Sequence, residues 1–342
     1  MLYLHNHHNW RCFILKALGL FSGGLDSQLA AFLLKDQGIE VEAVHFMTPF
    51  FGMTDRNRKA ADALGIKLHC FDISDDYMEI LRNPRYGYGK NFNPCIDCHA
   101  YMIKRTAELL ESLGAGFVFT GEVLGQRPMS QNRNSLDLVA RLSGYPDRLL
   151  RPLSALCLPI TPVEEAGMVD RTRLLDIRGR SRLRQMELAE QWGIRDYPSP
   201  AGGCLLTTEN YAARLSQLFR IKPSASAADA EIIKHGRVFI LPHDMVMVVG
   251  RKHAENEALS AAAQPSDHLL KVADHPGPTA VIRSLSGEPV PQEVLLEGAA
   301  ITARYSDADS HDEANIKIWH PGFEPELITV RPVLPADTPR SI

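Results

Sequence analysis

The chain is poor in cysteine for its length, and no apolar run is long enough to span a bilayer. Its six cysteines, Cys12, Cys70, Cys95, Cys98, Cys157 and Cys204, are too sparse for the disulfide lattice of a small secreted domain. The opening segment MLYLHNHHNWRCFILKALGLF has histidines where a signal peptide needs a basic region, so a cytoplasmic location is expected. An excess of one charge is also lacking. Lys plus Arg number 37 against 41 Asp plus Glu, a net of -4, so any hold on nucleic acid must come from local basic patches. No internal repeat or long low-complexity tract is present. What remains is a composition of 45% hydrophobic and 23% charged residues over 342 positions, which suits a globular protein of two or three domains.

Residues 15 to 125 alternate strand-like and helix-like patterns. KALGLFS, EVEAVHFMTP, KLHCFDI and GFVFTGE read as strands; SQLAAFLLKDQGI, DRNRKAADALGI and AYMIKRTAELLESLGA read as helices. This alternation predicts an α/β fold with a doubly wound parallel sheet, whose ligands sit at the carboxyl ends of the strands. Residues 161–222, rich in arginine and turn residues, contain one good helix, RLRQMELAEQWGI, and carry the last cysteine. IKPSASAAD, residues 221 to 229, reads as a linker. From 236 onward, short runs such as RVFIL, MVMVVG, TAVIR and ITARY predict a smaller C-terminal α+β domain over about 230–335. The expected division is thus an extension 1–14, an α/β domain 15–160, the Arg-rich segment, and the C-terminal domain.

Between the first strand and first helix stands SGGLDS, residues 22 to 27. Gly23 and Gly24 free the backbone to turn successive N–H groups toward an anion, and the helix adds its positive end. Ser22 and Ser27 add hydroxyls, and Asp26 is placed to hold Mg2+ against phosphate oxygens. There is no lysine, so this is not the Walker loop. SGGLDS resembles the pyrophosphate loop of the PP-loop ATP pyrophosphatases, which split ATP between its α and β phosphates. The resemblance implies adenylation of a substrate oxygen followed by displacement of AMP, with ATP on Ser22, Gly23, Gly24, Asp26 and Ser27. Adenine would pack near Phe46 and Met47, and Gly121 would line the site from the end of a neighbouring strand.

NFNPCIDCHAYMIKRTAELL places Cys95 and Cys98 before a helix, and DYPSPAGGCLLT places Cys204 after a Pro/Gly-rich loop. The helix N-terminus and Lys104 are expected to lower the thiol pKa values. The spacing leaves several chemistries open: an unremarked thiol pair, zinc on Cys95, Cys98, His99 and Cys204, a three-cysteine [4Fe–4S] cluster, or a persulfide pair of Cys98 and Cys204. CIDCH also matches haem attachment, but that requires export. These cysteine motifs, with TGEVLGQRPMSQ and DIRGRSRLRQ between them, resemble those of PP-loop tRNA thiouridine synthetases, in particular the cluster-dependent archaeal-type relatives of 4-thiouridine synthetase. The resemblance spans residues 18 to 206. It implies a [4Fe–4S] cluster on Cys95, Cys98 and Cys204, catalytic roles for Asp26, Lys104, Cys98 and Cys204, tRNA as partner, and sulfur from a cysteine desulfurase persulfide or from sulfide. One departure is plain: about twenty residues precede Ser22, where typical members carry an RNA-binding domain.

Two segments are candidates for holding RNA instead. RTRLLDIRGRSRLR, residues 171 to 184, has six arginines and one internal carboxylate, Asp176, so Arg178, Arg180, Arg182 and Arg184 are expected to meet phosphates rather than salt-bridge partners. Gln126 and Arg127 lie beside the expected ATP site. Residues 248 to 283, through Gly250-Arg251, Asn256-Glu257, Asp274 and Pro276-Gly277, resemble the RNA-binding module at the end of NFACT proteins. His5, His7 and His8 are read as an unstructured extension rather than a metal site.

Overall fold

The computed structural model describes residues 15–199, 203–309 and 312–342; His5, His7, His8, Cys12 and the Ala201-Gly202 part of the loop before Cys204 lie outside them. The chain opens as β1 (Lys16–Leu20), α1 (Leu25–Asp36), β2 (Glu40–Met47), α2 (Asp55–Leu64), β3 (Lys67–Asp72), α3 (Ser74–Arg82), α4 (Cys95–Ala107), β4 (Phe117–Thr120), α5 (Arg133–Ser143) and β5 (Leu149–Leu150). The five strands form one sheet in the order β3-β2-β1-β4-β5, with every pairing parallel. This is the expected doubly wound α/β sheet. β1 sits at its centre because Ala17 and Leu18 can be buried from both faces, each fully inaccessible to solvent. Gly19 in the same strand admits the Phe119 ring, which would lie 2.3 Å from an added Cβ.

Side chains alternate between two cores. Ala17, Ala43, Phe117 and Phe119 pack with Leu25, Leu29 and Leu33 of α1 and Ala60 and Ala61 of α2. Leu18, Val44, Phe46 and Val118 pack with Tyr77, Met78 and Leu81 of α3 and with Ile103 and Ala107 of α4. Burying each such side chain contributes about 1.5–3 kcal/mol, which fixes the helices against the sheet and so fixes what stands at the strand ends.

The chain continues through α6 (Pro162–Glu165), α7 (Leu183–Gln191), α8 (Glu209–Ile221) and α9 (Ala227–Ile232). It ends in β6 (Arg237–Leu241), β7 (Met245–Val249), α10 (His253–Ala262), β8 (His268–Val272), β9 (Thr279–Ser284), α11 (Gln292–Arg304), β10 (Ala314–Trp319) and β11 (Glu326–Val330). These last six strands form a separate sheet, β11-β10-β8-β9-β7-β6, antiparallel at every pairing. The α+β character expected of the C-terminal domain is present.

Three expectations are corrected. The segment 221–229 is not a loose linker. Ser226 and Asp229 form a capping box that starts α9, Lys222 pairs with Asp229 at 2.9 Å, and Ala225 is fully buried with its carbonyl accepting from Arg82 at 2.8 Å. Small side chains here permit close packing rather than forbidding it. ITARY is not a strand but the end of α11, whose buried Val294, Gly298, Ile301 and Thr302 recur at helical spacing. Gly298 lets that helix approach Ile282, 2.4 Å from where a Cβ would stand. The helix read from Ala100 begins at Cys95, which puts both thiols of the pair on its first turn.

Candidate active site

The glycine turn sits between β1 and α1. Gly23 has φ +67, and a Cβ there would also lie 2.9 Å from Asn57 Nδ2, so both backbone and space require glycine. The loop carbonyls face inward: Ser22 O accepts from Asn57 Nδ2 at 2.6 Å, Gly23 O from Gln28 Nε2 at 2.9 Å, and Gly24 O from Ser27 Oγ at 2.9 Å. Asn57 is itself held by its capping box with Thr54. With the carbonyls tied back, the first N–H groups of α1, which have no intrahelical partner, are left for an anion. Ser22 and Ser27 bring their hydroxyl oxygens to 3.4 Å beside them.

Asp26 lies in the first turn of α1. Its Oδ2 accepts from Gln126 Nε2 at 2.7 Å, and Gln126 Oε1 in turn accepts from Gln185 Nε2 at 3.0 Å. Its Oδ1 is buried and has no partner. Burial pushes the carboxyl above its usual range, against the opposing pull of Gln126, Arg182, Gln185 and Arg127. A buried carboxylate oxygen left bare beside an anion cradle fits a divalent cation bridging to phosphate. Gly121, expected to line the ligand, acts first through its smallness: an added Cβ would lie 2.6 Å from the Asp26 carbonyl carbon and the Ser27 nitrogen. Phe46 turns its ring into the core against Phe71, while Met47 at the strand end stays partly exposed.

Cys95 opens α4 and Cys98 stands one turn further on. Asn93 Nδ2 donates to Cys95 Sγ at 3.2 Å. The Cys204 segment is brought over by backbone bonds, Leu205 N to Phe50 O at 2.9 Å and Phe92 N to Leu206 O at 3.2 Å. The buried Tyr77 interacts with the Cys98 thiol, and Cys204 and Cys95 lie within electrostatic range of it. The expected lowering of the thiol pKa values is corrected. Burial pushes the Cys98 thiol well above its ordinary value, and burial raises Cys204 to about 11. Lys104 does not serve them; it is exposed on α4 with its ammonium 3.9 Å from Glu108.

Thiols that are costly to ionise alone gain their charge back from a bound cation. Among the described residues no three His, Cys, Asp or Glu side chains converge as they would on a single metal ion. Cys95 and Cys204 both lie within electrostatic range of Cys98, and three thiols are a donor set that a cubane cluster can take. His99 Nδ1 lies 2.8 Å from Glu122 Oε1.

Buried Glu122 and Arg151 form, with the half-buried His99, a triad that sequence reasoning did not bring together. Arg151 Nε donates to Glu122 Oε2 at 2.8 Å and Thr120 Oγ1 donates to the same oxygen at 3.1 Å. Burial opposes the charge on Glu122, but Arg151 and His99 outweigh it and hold the pKa at about 2. The triad ties the thiol helix α4 to the end of β4, directly after Gly121 and the turn of α1. The only sequence signal was Glu122 at a strand end; Arg151 lies too far along the chain to be matched with it.

The arginine run is divided by the fold. Arg171 pairs with Glu164 and Arg184 with Asp176, and Arg173 pairs with Asp36 at 2.6 Å. The expectation that Arg184 is free for phosphate is therefore corrected: its partner is Asp176, the one carboxylate inside the run, while Arg173 and Arg171 take partners from α1 and α6. Among the described residues Arg178, Arg180 and Arg182 make no ion pair. They run beside the nucleotide site, since Gly179 N donates to Leu124 O at 2.7 Å and Arg182 lies in range of Asp26. In the C-terminal domain two of the motif residues pack against each other. Asn256 Oδ1 accepts from Thr279 N at 3.1 Å, and Gly250 makes room for it.

An anion cradle without lysine, at the carboxyl end of the central strand of a parallel sheet, defines a nucleotide-binding domain of the PP-loop class. Residues 15–157 match the family model described as thiamine biosynthesis protein (ThiI), and residues 236–340 match that described as NFACT protein RNA binding domain. The first of these segments is thus similar to ThiI-type proteins and the second to NFACT-type RNA-binding domains. It is 38% identical over 120 residues to the tRNA-specific 2-thiouridylase MnmA of Sulfurimonas denitrificans, covering 32% of this chain and 35% of that protein. It is 32% identical over 149 residues to the probable tRNA sulfurtransferase of a Geobacillus species, covering 41% and 35%. The chain therefore spans about a third of the length of these curated relatives. Among solved structures, a 4-thiouridine synthetase–RNA complex with bound ATP is similar at 22% identity and a TM-score of 0.34, over 51% of this chain and 50% of that one. Among the described residues no helix is long and apolar enough to cross a membrane.

Proposed function

We propose that the chain is an ATP-dependent tRNA sulfurtransferase of the cytoplasm, which adenylates a uridine carbonyl oxygen and replaces it with sulfur. The observation that carries this reading is the position of both groups beyond the carboxyl ends of adjacent strands: the cradle follows β1, and the Cys204 segment is bonded to the loop after β2 through Leu205 N to Phe50 O at 2.9 Å. Nucleotide and sulfur chemistry thus share one end of the sheet. A loop that activates an oxygen is useful only where a nucleophile waits, and the thiols are suited to carry the sulfur that serves as one.

ATP lies with its phosphates on Ser22, Gly23, Gly24 and Ser27, and its adenine at the end of β2 by Met47 and the Phe46 backbone. Asp26, whose Oδ1 has no protein partner, would hold Mg2+ against the phosphates. The uridine oxygen attacks the α-phosphorus, the bond to the β-phosphate oxygen breaks, and pyrophosphate leaves. Sulfur then attacks the activated ring carbon, and the oxygen departs with AMP. Adenylation is needed because an amide-like oxygen leaves poorly unless it is carried off as a phosphate ester. The target base must be extruded from its stack to reach this pocket. Cys95, Cys98 and Cys204 would hold a [4Fe–4S] cluster, which would supply a place to carry sulfide to the activated carbon. Tyr77 keeps the thiol pocket dry and donates toward Cys98. Arg178, Arg180 and Arg182 take tRNA phosphates beside the cradle.

The test is release of AMP and pyrophosphate from ATP by anaerobically purified protein, with and without tRNA. The reading expects tRNA-dependent AMP, lost in Asp26→Asn. Release of ADP, or AMP formation indifferent to tRNA, would count against it.

A further inference from the structure

One face of the second sheet is packed against α11, through Leu270, Ile282, Ile316 and Ile318. The opposite face is only partly covered: Val238, Val248, Leu269 and Val281 join the core shared with α8 and α9. Toward the β11 edge that cover stops. There Lys317 of β10 stands directly opposite Lys271 of β8 and directly opposite Leu327 of β11 on its other side. Directly opposed residues share a face, and all three are exposed, Leu327 at 64%. Trp319, two residues along β10, is half-buried on the same face.

Like charges placed opposite each other across a ladder are destabilising. Among the described residues neither lysine makes an ion pair or a hydrogen bond. Asp274 accepts from Asn315 Nδ2 at 2.8 Å, and Glu313 lies 3.9 Å from Arg331. The arrangement is an exposed platform with two opposed cations, flanked by one aromatic and one aliphatic side chain. It complements a polyanion that also presents flat, stackable groups, which is RNA.

We propose that this open face of the second sheet, centred on Lys271 and Lys317 with Trp319 and Leu327 beside them, is the surface through which the chain takes the backbone of its tRNA. The proposal rests on the tRNA reading above and names where that partner docks. The lysines meet phosphates, and Trp319 meets a base or ribose at the edge of the contact. The strain of the opposed lysines is relieved only when RNA is bound.

The experiment measures binding of unmodified tRNA to the full chain by fluorescence anisotropy at several salt concentrations, for wild type, Lys271→Gln/Lys317→Gln and the charge control Lys67→Gln. Lys67 is exposed on the edge strand of the first sheet. The double variant should bind about ten-fold more weakly near physiological salt, and its slope of log affinity against log salt should fall by about 1 to 2. Lys67→Gln should change neither, and Lys271→Arg/Lys317→Arg should keep the wild-type slope. Melting temperature should hold or rise in the double variant, since a repulsion is removed. Unchanged affinity and slope in the double variant, with wild type binding tRNA, would overturn the docking surface alone and leave the face to another occupant. Failure of wild type to bind tRNA would overturn the functional reading with it.

Discussion

Replacing Arg151 by methionine removes the cation from the triad and leaves Glu122 buried without its main partner. Both side chains are nearly inaccessible, at 8% and 7%, so solvent cannot take over the charge. Two routes give the size of the effect. Holding a carboxyl at about 2 instead of 4.5 corresponds to about 3 kcal/mol of stability. Breaking a buried pair by deleting one partner costs roughly 3–5 kcal/mol. The pH dependence follows from the direction of the shift. Because the folded pKa is depressed, the contribution is complete above about 4.5 and is lost as pH falls through that value toward 2. Urea unfolding of wild type and Arg151→Met at pH 7, followed by far-UV circular dichroism, should show the transition containing the first sheet destabilised by about 3 kcal/mol. The difference should shrink when both are measured near pH 4. A loss under about 1 kcal/mol at pH 7 would refute the claim that the triad stabilises the fold as a buried charge network.

Other outcomes follow from single contacts. Gly23→Ala should weaken ATP binding and cost about 1–2 kcal/mol, because alanine at φ +67 is strained and its Cβ meets Asn57; calorimetric titration with ATP in the wild type and variant would show it. Gly121→Ala should drive the start of α1 away from β4 and abolish AMP formation while the C-terminal sheet stays folded, as hydrogen exchange can report. Ser226→Ala should cost about 1 kcal/mol by removing the α9 cap, a loss that a true linker at 221–229 would not register. Cys204→Ala should strip iron and acid-labile sulfide from anaerobically purified protein, where wild type carries about four of each; iron-free wild type would leave the persulfide chemistry of Cys98 and Cys204.

Four strands of the parallel sheet were legible because they alternate with helices and because Gly38, Gly65 and Gly114 punctuate them; the two-residue β5 was too short to show a pattern. The cradle was legible for the same reason: SGGLDS is local, and its glycines, hydroxyls and carboxylate lie within six consecutive residues. What stayed hidden was whatever depends on partners far along the chain. Arg173 reads as a free cation until Asp36 arrives from α1, 137 residues away. The Glu122–Arg151 pair joins β4 to the segment after β5, and no periodicity announces it. The thiol pKa values went the other way from expectation because a helix N-terminus is a local feature, whereas burial of Cys98 is set by Tyr77, Phe50 and the segment around Leu206 together. ITARY failed as a strand because β-branched residues at helical spacing were read without the Val294 and Gly298 that precede them.

The central claim is that nucleotide activation and sulfur transfer meet on a tRNA uridine, and the product tests it most directly. Wild-type protein is incubated anaerobically with unmodified tRNA, ATP, Mg2+ and sulfide, and the digested nucleosides are analysed by mass spectrometry. The account predicts thiouridine in amounts matching the AMP released, with both absent in Asp26→Asn and thiouridine absent in Cys98→Ser. AMP formation with no thiouridine, from protein carrying its full complement of iron and sulfide, would contradict it.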